Sequence, residues 1–201
     1  NFITMNKTLL LSLAFGLSAA GAFADDVFTP PFETTTIVGG QFAAGTRWYT
    51  LQITNNGFHI TNPGNNGEIK LVRTTTELDD NDLWCFVGTP ATGYRIYNKA
   101  TGVAKVLTAP KTMEGQAGGG SIVTLRDVAD AATYDVDWKF EKSTDLGADK
   151  PAVYMYPVGQ PSHKVNNRDA RFSFWTGGKD HGSSLQVLFA MQRVQVSDKN
   201  G

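Results

Sequence analysis

Residues 82–98 read Asp82-Leu-Trp-Cys-Phe-Val-Gly-Thr-Pro-Ala-Thr-Gly-Tyr-Arg-Ile-Tyr-Asn98, or DLWCFVGTPATGYRIYN. An apolar strand runs into a Gly/Thr/Pro turn, and a second alternating strand follows. This is the pattern of a hairpin. Its skeleton also occurs earlier. Nine residues after Trp48 stands GFHITN (57–62), and nine after Trp84 stands GYRIYN (93–98). Both hexamers are Gly, aromatic, basic or His, Ile, Thr or Tyr, Asn. Repetition of a unit this small governs the whole architecture, because one copy cannot bury its own apolar face.

The series extends along the chain. Trp84-Cys-Phe86 is repeated as Trp138-Lys-Phe140 and, with Val for Trp, as Val187-Leu-Phe189, while Trp48-Tyr-Thr50 opens the set; the steps are 36, 54 and 49 residues. Ala152-Val-Tyr-Met-Tyr156 supplies the third second-strand. Third strands are expected at Glu68–Val72, Lys105–Leu107 and His163–Val165. Fourth strands are expected around Thr74, at Ile122–Leu125 and at Arg171–Trp175. Helical periodicity is nearly absent, apart from one possible turn at 128–132. Glycine, threonine and aromatic residues favour strands and turns. The expectation is all-β: a β-trefoil over 45–195, three units of four strands forming a six-stranded barrel capped by three hairpins. Closure removes exposed strand edges. Trp84 and Trp138, with Phe86 and Phe140, are assigned to the core. Tyr94 and Ile96 point inward, and Arg95 and Tyr97 outward.

The N-terminus has its own composition. Met5-Asn-Lys7, an apolar run from Thr8 to Ala22 and Ala22-Phe-Ala24 spell a secretory signal with cleavage before Asp25. Residues 1–24 are therefore read as upstream sequence and signal, 25–44 as a lead-in, and 196–201 as a tail or the start of a linker. NFIT before Met5 reads as upstream frame, and the expectation that follows is that Gly201 too is an arbitrary end. Loss of Lys7 leaves 17 basic against 19 acidic side chains, a net charge of −2. With no basic stripe, nucleic acid is a poor partner. No membrane span is expected once the signal is removed. The lone Cys85 allows no internal disulfide and is read as a buried side chain.

These repeats resemble the ricin-type β-trefoil lectins. More narrowly, GYRIYNKATGVAKVL (93–107) and VNNRDARFSFWTGG (165–178) look like trefoil-like accessory domains at the front of secreted bacterial glycoside hydrolases, including sialidase-type enzymes. The resemblance implies a non-catalytic module that binds complex host or plant glycans, followed by a catalytic domain past Gly201. It also implies export by a Gram-negative-type bacterium to the periplasm, cell surface or medium. The Gln-x-Trp signature of the lectins is missing: Asp82-Leu-Trp84 and Val136-Asp-Trp138 keep only the Trp.

Sugar recognition needs an aromatic face for the pyranose ring and planar polar groups for its hydroxyls. The richest supply is 166–183: Trp175 as platform, with Asn166, Asn167, Asp180 and His181 as clamp and Arg168 nearby. Tyr97 is a second candidate, and Phe58, His59 and Asn62 are the corresponding first-unit positions. Against this, Phe174 and Trp175 alternate, so one of them belongs to the core. His59, His163 and His181 have no metal-ligand spacing, and Asp79, Asp80 and Asp82 read as a solvated turn; no metal or cofactor is expected. No nucleophile elbow or phosphate loop is present, so the chain is not read as catalytic. Two alternatives stand beside the lectin reading. One is a structural or protein-interaction module, favoured by the missing Gln-x-Trp. The other is a trefoil proteinase inhibitor using the insertion at 143–151.

Overall fold

The structure is a computed structural model, and it describes residues 28–62, 64, 67–73, 77–145, 151–176 and 180–190. The signal at 1–24, the strand around Thr74, most of the insertion at 143–151, Gly177-Gly178 and the tail lie outside these residues.

A lead-in hairpin comes first, β1 (Ile37–Val38) and β2 (Gln41–Phe42). The first unit holds β3 (Tyr49–Ile53), β4 (Phe58–Thr61), β5 (Gly67–Glu68), β6 (Lys70–Arg73) and β7 (Trp84–Thr89). The second holds β8 (Gly93–Asn98), β9 (Lys105–Pro110), β10 (Thr124–Asp127), β11 (Tyr134–Asp135) and β12 (Trp138–Lys142). The third holds β13 (Ala152–Pro157), β14 (Lys164–Arg168), β15 (Arg171–Trp175) and β16 (Leu185–Phe189). Pairing runs β3–β7–β8–β12–β13–β16 and back to β3, a closed ring of six antiparallel strands. The hairpins β4–β6, β9–β10 and β14–β15 cap one end. This is a β-trefoil, as the repeats indicated.

The phase of the repeat is a correction. GFHITN forms the hairpin strand β4, whereas GYRIYN forms the barrel strand β8, so the two hexamers are not equivalent. The threefold relation shows in the register: Tyr49 lies opposite Trp84, Tyr94 opposite Trp138, and Val153 opposite Leu185. The Trp-x-Phe strands therefore close each unit rather than open it. Trp48 drops out of the series, and Leu185-Gln-Val187, not Val187-Leu-Phe189, is the third copy. A two-residue slip preserves the inside–outside alternation of a strand, and connections between strands vary in length, so spacing alone did not fix the phase.

The core follows from this register. Phe86, Phe140 and Val187 pair with Ile96, Met155 and Leu51 on neighbouring barrel strands, side by side on the inner face. Trp84 and Trp138 are fully buried. Their indole N–H groups donate to the carbonyls of Ile60 (3.2 Å) and Leu107 (3.0 Å). Each Trp thus joins a barrel strand to the hairpin of its own unit and leaves its buried indole donor paired. At the hairpin cap, Ile69 N–H donates to Val123 O (3.1 Å) and Val123 N–H to Phe172 O (3.0 Å), one element from each unit. The opposite end is plugged by the lead-in. Phe32 stacks on Phe86 at 3.8 Å and meets Tyr94 and Phe140 edge-on at 5.1 and 5.0 Å. Main-chain bonds hold it there, from Thr35 N–H to Phe86 O (2.8 Å) and from Glu33 N–H to Tyr49 Oη (2.8 Å).

The turn in the opening stretch depends on two glycines. Gly88 and Gly93 have φ of +137° and +92°. A Cβ on Gly88 would collide with the Gly93 carbonyl, and one on Gly93 would come within 2.9 Å of Val158.

Candidate functional site

The threefold register lets each unit be compared position by position. Ile60–Leu71, Leu107–Leu125 and Val165–Phe174 are the core pairs facing each other across the three hairpins. One residue further along each first hairpin strand come Thr61, Thr108 and Asn166. One residue further along each second strand come Val72, Arg126 and Trp175. Two residues before the closing strand residues Trp84, Trp138 and Leu185 come Asp82, Val136 and Ser183. At the second-strand position the third unit has an aromatic side chain, Trp175, and the other two have Val72 and Arg126.

The third unit forms a shallow depression of about 270 Å³ lined by Asn166, Asn167, Arg168, Asp169, Trp175 and Asp180. Strand β14 contributes the amides and Arg168, β15 contributes Trp175, and the turn before β16 contributes Asp180. Asn166 is buried, and its amide donates to Asp180 Oδ1 (2.9 Å) and Ser183 Oγ (2.8 Å). Ser183 N–H donates to the same carboxylate oxygen (3.0 Å). Asn167 N–H donates to Gly182 O (2.9 Å), which ties the strand to the turn. Asp180 is thus held at the surface in fixed orientation, with Oδ1 committed to the protein. Trp175 is half-buried, while Phe174 is fully buried, as strand alternation requires. The Arg168 guanidinium lies 5.0 Å from the Trp175 ring centroid. The hairpin tip is unusual: Asp169 and Ala170 have φ of +52° and +59°, a left-handed pair without glycine. Such backbone costs on the order of 1 kcal/mol per residue and persists where surrounding contacts impose it.

The expected platform Trp175 and three of the expected clamp residues, Asn166, Asn167 and Asp180, therefore meet in one place. His181 is exposed beside them but does not line the depression; its carbonyl accepts from Thr54 Oγ1 at 3.4 Å. Tyr97 stands apart. It does face away from the barrel interior, yet it is 3 % exposed, because Phe42 of the lead-in hairpin packs edge-on at 5.6 Å. Phe42 of the lead-in thereby packs on an apolar cluster of Cys85, Tyr97, Val106 and Val136. Sequence alternation gave the direction of Tyr97 but not the segment that lies over it. The sequence offers Arg168 only as a neighbour of the clamp and gives no reason to select Asp169 or Ser183; a tight turn without glycine is its one signal for the hairpin tip.

The other candidates are structural. His59 is buried, with Nε2 2.9 Å from Asp82 Oδ1. Asp82 is therefore not part of a solvated turn, as its sequence context suggested. It closes a capping box with Asp79, whose N–H donates to Asp82 Oδ2 at 3.0 Å. Burial alone would raise the Asp82 pKa, but the Asp79 N–H, Thr61 and His59 together hold it below the ordinary carboxylate value. Asn98 is fully buried; it donates to the carbonyls of Asn81 (2.8 Å) and Leu83 (3.2 Å) and accepts from Asn62 (3.3 Å). Cys85 is buried, and its pKa is pushed up to about 12 by burial, so it is not a nucleophile. Among the described residues no group of three His, Cys, Asp or Glu could hold a metal ion. No described helix is long and apolar enough to cross a membrane.

No protein-family model matches the chain, and no curated protein matches it in sequence. Solved structures do match in fold. A designed 3-fold symmetric protein, ThreeFoil, superposes with a TM-score of 0.53 at 12 % identity, covering 70 % of this chain and 97 % of that one. A ricin B-like lectin from Macrolepiota procera, solved in complex with lactose, gives 0.51 at 12 % identity over 76 % of this chain and 98 % of that one. A GlcNAcα1-4Gal releasing endo-β-galactosidase from Clostridium perfringens gives 0.54 at 11 % identity over 72 % of this chain and 33 % of that one, so the match spans about a third of that enzyme. At these identities the likeness establishes the β-trefoil fold.

Proposed function

We propose that the protein is a secreted, lectin-like carbohydrate-binding module with its site in the third unit. The observation that carries this reading is the convergence of a half-buried Trp175 with Asn166, Asn167, Arg168 and Asp180 around one open depression. A pyranose ring offers an apolar face to the indole, and its hydroxyls bond to planar groups whose orientation the fold has already set. Among the described residues Asp180 Oδ2 has no bonded partner and is placed to accept from a hydroxyl, and Asn167 adds an amide side chain. At the position of Trp175 the first and second units have Val72 and Arg126. The site is non-catalytic, and Tyr97 plays no part in it because the lead-in covers it. An accessory role in front of a glycan-degrading catalytic domain, with export through the signal at 1–24, extends the same reading. The fold likeness to lectin and glycosidase structures is compatible with it.

Binding of the protein to a panel of host and plant glycans tests the proposal. The expected result is binding to a defined neutral or acidic glycan that is lost in Trp175→Ala while the circular dichroism spectrum is unchanged. A folded protein that binds nothing on the panel supports the alternative of a structural module, which the absent Gln-x-Trp signature favours.

A further inference from the structure

Strand register fixes which side chains share the outer face of the β14–β15 hairpin. Lys164 pairs with Trp175, Asn166 with Ser173 and Arg168 with Arg171, and these six stand opposite the buried Val165, Phe172 and Phe174. The face has a border on each side. Along β14 runs the 180–183 turn, tied by Asn167 N–H to Gly182 O (2.9 Å) and by Asn166 to Asp180. Along the free edge of β15 runs a segment of the second unit. It is tied by Thr176 N–H to Gln116 O (2.8 Å), by the Ile122–Ser173 bridge and by Val123 N–H to Phe172 O (3.0 Å). Gly119 and Gly120 are exposed and put no side chain over this second border. A hollow of about 130 Å³ lies beside it, between Ala117, Gly120 and Ile122 on one side and Arg168, Asp169 and Arg171 on the other. Arg168 and Asp169 also line the Trp175 depression, so the two hollows adjoin on one face.

The cations on this face are all paired. Arg171 Nε and Nη2 lie 2.8 and 3.2 Å from the two carboxylate oxygens of Glu68, Arg168 Nε lies 3.5 Å from Asp169, and Lys164 Nζ lies 3.3 Å from Glu141. Asp180 adds one further negative charge at the surface, which disfavours an acidic ligand. The Asp169 side chain is 84 % exposed and that of Arg168 38 %, so this pair still presents surface to a ligand. The Arg168 guanidinium, 5.0 Å from the Trp175 centroid, carries a planar group from the indole toward the second hollow. Planar groups with paired charge suit a row of neutral pyranose rings. We infer that the two hollows form one groove that takes an internal stretch of a neutral oligosaccharide. One ring sits on Trp175, and the next pass over Arg168 and Asp169 toward Gly120. The inference rests on the carbohydrate-binding reading and deepens it: the length of the chain, not a single terminal sugar, sets the affinity.

The test is an NMR titration of the protein, and of Ala117→Leu, with cello-oligosaccharides and β-1,4-galacto-oligosaccharides of one to four units. The two series differ at C4, so a preference for one epimer is not mistaken for a lack of binding. A tetrasaccharide of uronic acids is titrated in parallel. In at least one neutral series the affinity should rise about tenfold from one unit to three. The Ala117 and Gly120 amides should shift with the trisaccharide and not with the monosaccharide, a readout that needs no variant. In Ala117→Leu, which fills the second hollow, the gain from length should shrink to about unity. Affinity independent of length, or shifts confined to the Trp175 depression, overturns the inference and leaves the carbohydrate reading standing. A gain from length that survives in a folded Ala117→Leu also overturns it. So does a uronic tetrasaccharide that binds more than about tenfold tighter than both neutral ones, which reverses the charge assignment. Binding of neither neutral series at any length overturns the inference, and the glycan panel then decides the broader reading by itself.

Discussion

The turns that precede β7 and β16 occupy equivalent places in the first and third units, and they have been put to opposite uses. In the first, Asp82 is turned inward and saturated by His59, Thr61 and the Asp79 N–H. Val72 stands where the third unit has Trp175, and Asn62 is sealed against Asn81 and Asn98 at 3.1 and 3.3 Å. In the third, the inward position is the small Ser183, Asn166 bridges it to Asp180, and the acid is left at the surface beside a half-exposed indole. The second unit has Val136 at the inward position and Arg126 in place of the Trp. Arg126 packs 4.2 Å over Tyr134 instead. One threefold frame thus supplies a polar lock, an apolar contact and an open depression. Where the polar groups satisfy one another completely, nothing is left to bind; where a small residue replaces the acid, the surrounding groups face solvent.

The sharpest way to break this contrast is to remove the lock. Asp82→Ala strands His59, Thr61 and a capping N–H, and should lower unfolding free energy by about 3 kcal/mol in urea titrations. A loss no larger than that of a surface residue would show that the buried pair is not a lock. Trp175→Ala should do the reverse: glycan affinity falls by a factor of ten or more, about 1.4 kcal/mol, while urea stability stays within about 1 kcal/mol. A large stability loss there would make Trp175 a core residue and the depression incidental. Ser183→Ala should cost about 1 kcal/mol, because Asn166 keeps its bond to Asp180.

The smallest effect is in the acid limb. The Asp82 pKa is depressed in the folded protein, so its contribution is present above the unfolded carboxylate pKa and is lost as pH falls through the folded value. Below about pH 4 the parent should therefore lose stability faster than Asp82→Asn, in denaturation curves taken at stepped pH. Parallel curves would mean that Asp82 is not coupled to folding.

Much of the fold was legible. Trp84, Phe86, Trp138 and Phe140 were readable as core because large aromatic residues at alternate strand positions have few other places to go. The hairpin at 84–98 was readable from its glycines. The phase of the threefold repeat was not, because Gly-aromatic-x-Ile-x-Asn occurs by coincidence on a hairpin strand and on a barrel strand. The candidate site was half legible. Asn166, Asn167, Asp180 and Trp175 are close in sequence and stay close in space. Tyr97 had the same local pattern, and only the lead-in strand that passes over it removes it from the surface.

The sequence by itself determined that this chain is a threefold all-β structure with an aromatic core, since periodicity and side-chain volume are local properties that any fold must accommodate. The tertiary structure alone decided which strand opens each unit, that Phe32 plugs the barrel, that Asp82 is buried and Asp180 is not, and that Arg168 faces two hollows. Those outcomes depend on contacts between segments far apart in the chain, where burial and hydrogen-bond saturation are settled by what lies opposite rather than by what lies next in line.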